Sequence, residues 1–422
     1  MSIDNKIVKK HSFSKISSKS VWYLREKYIW YIMEAFDVSS LIKVIIWQRR
    51  VGKSYLLRQI ISIILKEKQV DKNKILYLNF EDEDLAFIKD KNILKQVIDN
   101  YFLWIKWKKH IFLDEIQEVN SWEKLINSYR SKDSEYNIFI SWSNSKMLSW
   151  DLSTYLAGRY IEFEIYPFSY EEYLNLNNLI RNKETLINYI NFSWFAEIYN
   201  LKNKKLQISF MKQLKDTIIL KDIVKRYNLK NINLIEKVFL FMINNIWNSL
   251  SLNSIRKKLL QEWIKISITT LSNYTKYLED IYVFYWVSRF DLHWKKILEW
   301  EKKYYLNDLW FINFLFSNFE TYISKKLENY IFNLLKINWY EIYIWKMRNL
   351  EIDFIATKNN NKIYIQVAYI LTNESIIKRE FWNLEKIKDS FQKYVVSLDD
   401  INFWINKNGI KHIRAWELSD YL

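Results

Sequence analysis

Between residues 41 and 168, short apolar runs alternate with longer stretches in which apolar residues recur every three or four positions. The runs KVII, ILYLNF, IFLDEI, NIFIS and YIEFEI are typical of buried strands, and the stretches between them are typical of amphipathic helices. Strands that alternate with helices in this way form parallel sheets. The pattern therefore predicts an α/β domain, with a parallel sheet that carries helices on both faces.

The pattern changes four times along the chain and divides it into five segments. Residues 1–35 predict an amphipathic helical lead-in, and residues 36–168 are the α/β domain. Residues 169–250 are helix-patterned almost throughout, as in a lid or linker. Residues 251–305 predict a small helical unit that ends in a β-hairpin, and residues 306–422 predict a smaller α/β domain with a helix near residues 320–337.

The segment IIWQRRVGKS lies between the first strand and the first long helix of the α/β domain. At this place the pattern G-x-x-x-x-G-K-[ST] forms a P-loop, in which backbone N–H groups and the helix N-terminus bind phosphate oxygens. We expect Lys53 to reach the β- and γ-phosphates of ATP and Ser54 to bind Mg²⁺. The first glycine position holds Trp47. The residues predicted to contact the nucleotide are Arg49, Arg50, Val51, Gly52, Lys53, Ser54 and Tyr55.

The run HIFLDEIQEV has the features of the matching Walker B strand. The apolar residues Ile111–Leu113 carry Asp114 to the carboxyl edge of the sheet, where it can hold Mg²⁺ opposite Ser54. Glu115 is then placed to act as the general base that polarises the attacking water. The two motifs together predict ATP hydrolysis with Mg²⁺.

Two further residues are candidates for catalysis. Asn144 lies in a polar Ser-Asn-Ser run at the tip of the next strand, where it can orient the attacking water, although such a run is also typical of a helix N-cap. Arg159, in the run AGRY, can stabilise charge that develops on the γ-phosphate. An exposed arginine in a turn explains Arg159 equally well.

Composition excludes several kinds of site. The 422 residues include no cysteine, which excludes disulfides, iron–sulfur clusters and thiolate zinc sites. The four histidines lie far apart, without the spacing of metal ligands. No apolar run is long enough to span a bilayer and the N-terminus has no secretory pattern, so we expect a cytoplasmic protein without a membrane partner.

The formal net charge of +16 is concentrated in one part of the chain. Residues 201–305 contain 20 Lys and Arg residues against 9 Asp and Glu residues, which is +11 of the total. A polyanionic partner such as DNA or another nucleic acid explains this excess, and so does a lysine-rich genome. Both explanations stay open at the level of sequence.

Five ordered motifs give the chain a family resemblance. It resembles prokaryotic AAA-type ATPases that are fused to a C-terminal domain of unknown function. The motifs that carry the resemblance are RRVGKS at residues 49–54, FLDEIQ at 112–117, SNS at 143–145, LAGRY at 156–160 and PFSYEEY at 167–173. The resemblance extends through most of the chain and implies an AAA-type P-loop core.

The resemblance implies a winged helix at residues 251–305, with two helices and a wing hairpin. Such a unit can place its second helix in the DNA major groove while basic residues contact phosphate. A role in contacts between proteins or subunits fits the same fold equally well. The residues expected to contact nucleic acid are Lys257, Lys258, Lys276, Arg289, Lys295 and Lys296.

The last third of the chain resembles restriction-endonuclease-like folds. In those folds a helix acid, an aspartate and an [EQ]-x-K motif form the metal site. Glu328, Asp353 and Gln366 match the first parts, but Ala368 stands at the lysine position. Without that lysine, and with glutamine as a poor Mg²⁺ ligand, the resemblance implies a degenerate scaffold without nuclease activity.

Tryptophan and glycine occur in unusual numbers. The chain has 20 Trp and 3 Gly, and Trp stands where the family has glycine at positions 47, 142, 194 and 310. We interpret Trp294, Trp300 and Trp382 as further glycine positions of this kind. Trp122, in contrast, matches a position at which the family itself has tryptophan. We interpret many of these letters as UGA codons in an organism that translates UGA as glycine.

The sequence thus predicts an ATP-hydrolysing AAA-type enzyme that binds or remodels a nucleic acid or a protein, with ATP and Mg²⁺ as its ligands and a homo-oligomer as its assembly. The alternative is an ATP-gated DNA-binding regulator with slow turnover. A nuclease or toxin-like effector is the third class, and Ala368 argues against it.

Overall fold

The computed structural model describes most of the chain, and it separates into two compact units, residues 1–165 and residues 166–422. The described residues are 7–12, 23–46, 51–132, 135–143, 156, 158–191, 198, 201, 203–218, 223–224, 226–246, 248–291, 296–315, 322–347, 350–400 and 408–422. Each unit is built around one sheet, and each is described by itself below.

The sheet of the first unit has five parallel strands in the order β2-β3-β4-β1-β5. The strands are β1 Ile42–Ile46, β2 Ile75–Asn79, β3 Lys109–Asp114, β4 Tyr136–Trp142 and β5 Tyr160–Glu164. The helices are α1 Glu26–Glu34, α2 Lys53–Lys66, α3 Lys91–Tyr101 and α4 Trp122–Arg130. Every residue of β1 and β4 is buried, because helices cover both faces of a parallel sheet. The α/β fold predicted from the apolar runs is confirmed.

Strand β2 lies at the edge of this sheet, and side chains from the start of the chain bind its outer backbone groups. The Tyr77 N–H donates to Ser12 Oγ at 3.0 Å, and the Asn79 N–H donates to His11 Nε2 at 3.3 Å. An uncovered edge strand is free to pair with another chain. The N-terminal segment satisfies two of the edge donors and so blocks that pairing here.

The second unit contains an eight-stranded sheet in the order β13-β12-β11-β10-β9-β7-β8-β6. Its strands are β6 Ser249–Leu250, β7 Phe284–Asp291, β8 Lys296–Leu306, β9 Glu341–Met347, β10 Leu350–Lys358, β11 Asn361–Val367, β12 Gln392–Ser397 and β13 Lys411–Arg414. Its helices are α5 Tyr170–Asn177, α6 Lys183–Asn191, α7 Lys204–Thr217, α8 Ile232–Asn245, α9 Leu252–Gln261, α10 Ile268–Asp280, α11 Trp310–Leu315, α12 Ile323–Ile337 and α13 Glu374–Glu385.

Residues 251–306 contain two helices, α9 and α10, followed by the antiparallel hairpin β7–β8. This is the order of elements that the sequence predicts for a winged helix. Strand β7 also pairs with β9 in a parallel manner, at Arg289 and Ile344. One sheet therefore continues across the boundary predicted between residues 305 and 306, and the five-segment division stays a prediction.

Within the described residues, no helix has both the length and the apolar character needed to cross a membrane.

Candidate nucleotide-binding site

The start of α2 forms the described part of the P-loop. Gly52 is the N-cap residue of this 14-residue helix and has a φ of +95°, in the left-handed region that favours glycine. It has no side chain to occupy the first N–H groups of the helix, and such groups bind anions. Lys53 follows and is buried, with 4% of its surface exposed. Trp47, Arg49 and Arg50 lie outside the described residues.

Asp114 ends β3 in a fully buried position, where three hydroxyl groups bond to it. Tyr77 Oη donates to its Oδ2 at 2.7 Å, Ser141 Oγ donates to its Oδ1, and the Ser54 side chain also bonds to it. Burial raises the pKa of the Asp114 carboxyl, and the charge of Glu115 raises it further, while these three hydrogen bonds lower it. The three hydrogen bonds therefore fix the orientation of the carboxyl group, whereas its burial beside Glu115 disfavours the charged carboxylate.

Glu115 follows directly, in a left-handed conformation with a φ of +55°. This conformation is uncommon for residues other than glycine and is found at functional sites. Ser143 Oγ lies 2.6 and 2.7 Å from the two carboxylate oxygens of Glu115. Gln117 Nε2 also donates to the carboxylate, and Lys53 Nζ lies 3.7 Å from its Oε1. The carboxylate is thus held from three directions.

Sequence reasoning missed Tyr77, Gln117, Ser141 and Ser143 as individual partners of the two acids. Tyr77 and Ser141 are polar residues inside otherwise apolar strand runs on either side of β3. That interruption of an apolar run is the signal that could have identified them. Asn144, which the sequence predicts to orient water, lies outside the described residues.

Arg159 lies away from this group of residues. Its carbonyl oxygen accepts a hydrogen bond from the N–H of Ile42, the first residue of β1, and its Nη1 donates to Asn127 Oδ1 at 3.2 Å. The P-loop follows the other end of β1, which is roughly 13 Å away at about 3.3 Å per residue. Because strands β1 and β5 are parallel, Arg159 lies at the opposite edge of the sheet from Ser54, Asp114 and Glu115.

Three of the six candidate nucleic-acid contacts have described side chains. Lys257 and Lys258 on α9 and Lys276 on α10 are exposed. Lys295 and the side chains of Arg289 and Lys296 lie outside the described part of the chain.

The candidate nuclease residues separate into two groups. Glu328 and Asp353 lie near a common lysine, Lys303, whose Nζ is 2.6 Å from Glu328 Oε1 and 3.9 Å from Asp353 Oδ1. Gln366 instead donates from Nε2 to Glu380 Oε2 at 2.9 Å. Lys303 was not predicted from the sequence.

Comparison with known families gives two matches along the chain. A family model described as an AAA domain matches residues 39–174, and one described as a domain of unknown function matches residues 183–321. An uncharacterized protein of Haemophilus influenzae is 30% identical over 378 residues, which are 88% of this chain and 92% of that protein. An uncharacterized protein of Methanocaldococcus jannaschii is 33% identical over 397 residues, which are 89% of this chain and 85% of that protein.

Two solved structures have a similar arrangement of the backbone. The Walker-type ATPase of Pyrococcus abyssi is 14% identical, with a TM-score of 0.43, and the match covers 69% of this chain and 95% of that one. The Orc1 protein of Aeropyrum pernix, solved in complex with DNA, is 10% identical, with a TM-score of 0.33, and the match covers 74% of this chain and 97% of that one.

Proposed function

The chain belongs to the family of its Haemophilus influenzae and Methanocaldococcus jannaschii relatives and carries an AAA domain at residues 39–174, and from this premise we propose that it hydrolyses ATP with Mg²⁺. The AAA-type resemblance expected from the sequence is confirmed for that region. The observation that supports hydrolysis is the meeting of Lys53, Ser54, Asp114 and Glu115, which α2 and the end of β3 bring into direct contact.

The donor set fits Mg²⁺. Ser54 and Asp114 offer a hydroxyl and a carboxylate oxygen, which are the hard ligands that this ion accepts. Burial and the adjacent Glu115 raise the pKa of Asp114, and a bound cation would relieve both effects. When bound there with ATP, Mg²⁺ would neutralise charge on the phosphates. Lys53 and the N–H groups at the start of α2 would hold the β- and γ-phosphates.

Glu115 is the proposed general base. To accept a proton from the attacking water, its carboxylate has to release part of its bonding to Ser143, Gln117 or Lys53. A phosphate at the start of α2 would attract Lys53 and so remove one of these partners. Ser143 and Gln117 would then act as positioning residues, because both bond to the carboxylate of the base.

Coupling to a nucleic acid is the second part of the proposal. It is supported by the exposed lysines 257, 258 and 276 on α9 and α10 and by the basic character of residues 201–305. Lysines on the helices of a winged helix can bind phosphate, and such binding weakens as the salt concentration rises, because the counterions that it releases from the nucleic acid then gain less entropy. The alternative proposal, an ATP-gated DNA-binding regulator, differs only in having a slow rate of turnover.

Two substitutions test the ATPase assignment. Lys53→Ala should abolish ATP binding, whereas Lys66→Ala, at the exposed last position of the same helix, should leave it unchanged. Glu115→Gln should retain ATP binding but slow turnover by about 10²-fold or more, as loss of a general base does. Glu118→Gln, three residues further on and exposed, is the matched control. ATP turnover at the parental rate in Glu115→Gln would remove Glu115 from the mechanism.

The same assay, run with double-stranded DNA, single-stranded DNA or RNA, tests the coupling. Stimulation by one of these polymers that declines steeply with salt supports a nucleic-acid-coupled ATPase. ATP turnover that none of them changes would leave the basic helices without a role in the ATP cycle.

A further inference from the structure

Lys303 is buried in the second unit although its side chain ends in a charge. It lies on β8, with 3% of its surface exposed. Its Nζ lies 2.6 Å from Glu328 Oε1, 3.6 Å from Glu351 Oε1 and 3.9 Å from Asp353 Oδ1. One ammonium group, which β8 provides, is therefore shared by an acid of α12 and two acids of β10.

Neighbouring groups fix these acids in place around the ammonium. Tyr305 Oη donates to Glu328 Oε1 at 2.7 Å, and the Val367 N–H donates to Asp353 Oδ2 at 2.8 Å. A buried charge is expensive unless it is paired and hydrogen-bonded, and removing one partner of such a group leaves an uncompensated charge. Lys303 thus compensates acids that would otherwise repel one another.

Two of these acids, Glu328 and Asp353, are the ones that the resemblance assigns to a nuclease-like metal site, so their geometry bears on whether a metal could bind there. A Mg²⁺ ion requires oxygen ligands at about 2.0–2.1 Å in near-octahedral geometry, which places the ligand atoms close to one another. Among the described residues, the only three His, Asp or Glu ligand atoms within 4.8 Å of one another belong to His11, Asp82 and Asp84. The oxygens of Glu328, Glu351 and Asp353 are spaced around the ammonium instead.

The remaining predicted ligand is engaged elsewhere through its nitrogen only. Gln366 Nε2 donates to Glu380, which Arg379 contacts at its other oxygen, whereas Gln366 Oε1 is buried without a hydrogen-bond partner in the part of the chain that the structure describes. Ala368, at the position expected for the lysine, is buried and offers no polar group. With the Lys303 ammonium among these acids, the donor set therefore does not fit a divalent metal.

We propose that Lys303 is a resident cation, which takes the place of a divalent metal among Glu328, Glu351 and Asp353. The second unit then holds α12 against its sheet without a metal ion. A cluster filled by an ammonium group would not activate a water as a bound metal does, and we therefore expect no cleavage of phosphodiesters by this unit. The sequence attributes the inactive scaffold to a missing lysine at position 368. In the proposal a lysine is present, but it is Lys303, and it neutralises the acids instead of assisting a metal ion.

The experiment compares the response of three full-length proteins to Mn²⁺ without nucleotide, by calorimetric titration and thermal unfolding. Parental protein should bind no Mn²⁺ at this cluster, so Asp353→Asn should leave its Mn²⁺ titration unchanged. Lys303→Met should unfold at a lower temperature, because three acids lose their counter-charge, and Mn²⁺ should raise its midpoint by about 3 °C or more. Lys302→Met is the matched control, because the neighbouring Lys302 pairs with Glu279, and its midpoint should not respond to Mn²⁺.

Two further variants make the result decisive. Asp353→Asn added to Lys303→Met should abolish the Mn²⁺ response, and Lys303→Arg, which keeps the cation, should not acquire one. If Lys303→Met does not fold, the Mn²⁺ titrations of the parental protein and of Lys303→Arg still test the proposal. Mn²⁺ binding by the parental protein that Asp353→Asn removes would overturn the proposal, and so would a folded Lys303→Met that ignores Mn²⁺.

Discussion

Two tryptophans occupy a backbone conformation that favours glycine. Trp263 and Trp339 have φ values of +62° and +60° and follow the ends of α9 and α12. Each lies at the left-handed position of a Schellman motif, since the N–H of the next residue bonds back to the helix, from Ile264 to Leu259 and from Tyr340 to Leu335. Glycine is the usual residue there. These positions agree with the interpretation of many Trp letters as recoded glycine.

We predict that Trp263→Gly raises the free energy of unfolding by about 1 kcal/mol, because a side chain in the left-handed region carries a steric cost. Little packing is lost, since 93% of Trp263 is exposed. The control is Trp122→Gly, which should lower the unfolding free energy by roughly 3–5 kcal/mol because Trp122 is fully buried. Denaturant unfolding measures both.

The codons of the gene provide a second test of the interpretation that many Trp letters are recoded glycine. The codons for positions 47, 142, 263 and 339 should be UGA, as should those for the remaining family-glycine positions, 194, 294, 300, 310 and 382. The codon for Trp122 should be UGG. UGG codons at 47 and 142 would contradict recoding, and mass spectrometry of the native P-loop peptide would decide independently.

At the scale of the element, strand β1 contains a lysine in the middle of a buried run. Lys43 is fully buried, and its Nζ donates to Val38 O and to Asn137 Oδ1, at 2.5 and 2.7 Å. Burial, together with the nearby charge of Lys108, lowers the pKa of Lys43 to about 7. The strand tolerates the lysine because the segment before it and the adjacent β4 supply its acceptors.

This pKa predicts how stability depends on pH. The unfolded chain, with a lysine pKa near 10.5, binds a proton that the folded chain releases above about pH 7. The free energy of unfolding should therefore rise from about pH 7 to 9, by up to about 1.4 kcal/mol per pH unit from this group. Lys43→Met should flatten the slope, and Lys66→Met, at an exposed position, should not. An unchanged slope in Lys43→Met would show that Lys43 titrates normally in the folded protein.

At the scale of the whole molecule, the direction of the strands separates Arg159 from the ATP site. Ser54, Asp114, Glu115 and Ser143 follow or end strands at the carboxyl edge, and Arg159 precedes β5 at the other edge. A catalytic Arg159 therefore has to act on the site of a second copy of the chain. A catalytic Arg159 thus requires a homo-oligomer, and a head-to-tail contact of this kind between identical subunits closes a ring when it is repeated around a symmetry axis.

Mixing two inactive variants tests this arrangement. Lys53→Ala lacks the nucleotide site and Arg159→Ala lacks the arginine, so each alone should have little ATPase activity. Their mixture should recover activity, because one subunit then provides the site and its neighbour provides Arg159. Arg130→Ala is the control, since Arg130 contacts the same Asn127 oxygen as Arg159 and should leave ATP turnover unchanged. Parental turnover in Arg159→Ala alone would exclude Arg159 from catalysis.

The sequence by itself determined the parallel α/β fold and the positions of Gly52, Lys53, Asp114 and Glu115. These depend on local periodicity and on strand–loop–helix order, which neighbouring residues encode. Only the tertiary structure decided which hydroxyl groups hold the two acids, that Arg159 lies at the far edge of the sheet, and that Lys303 joins Glu328. Each of these depends on strand order and on contacts between residues far apart in the chain, and global packing sets both without leaving a periodic signal.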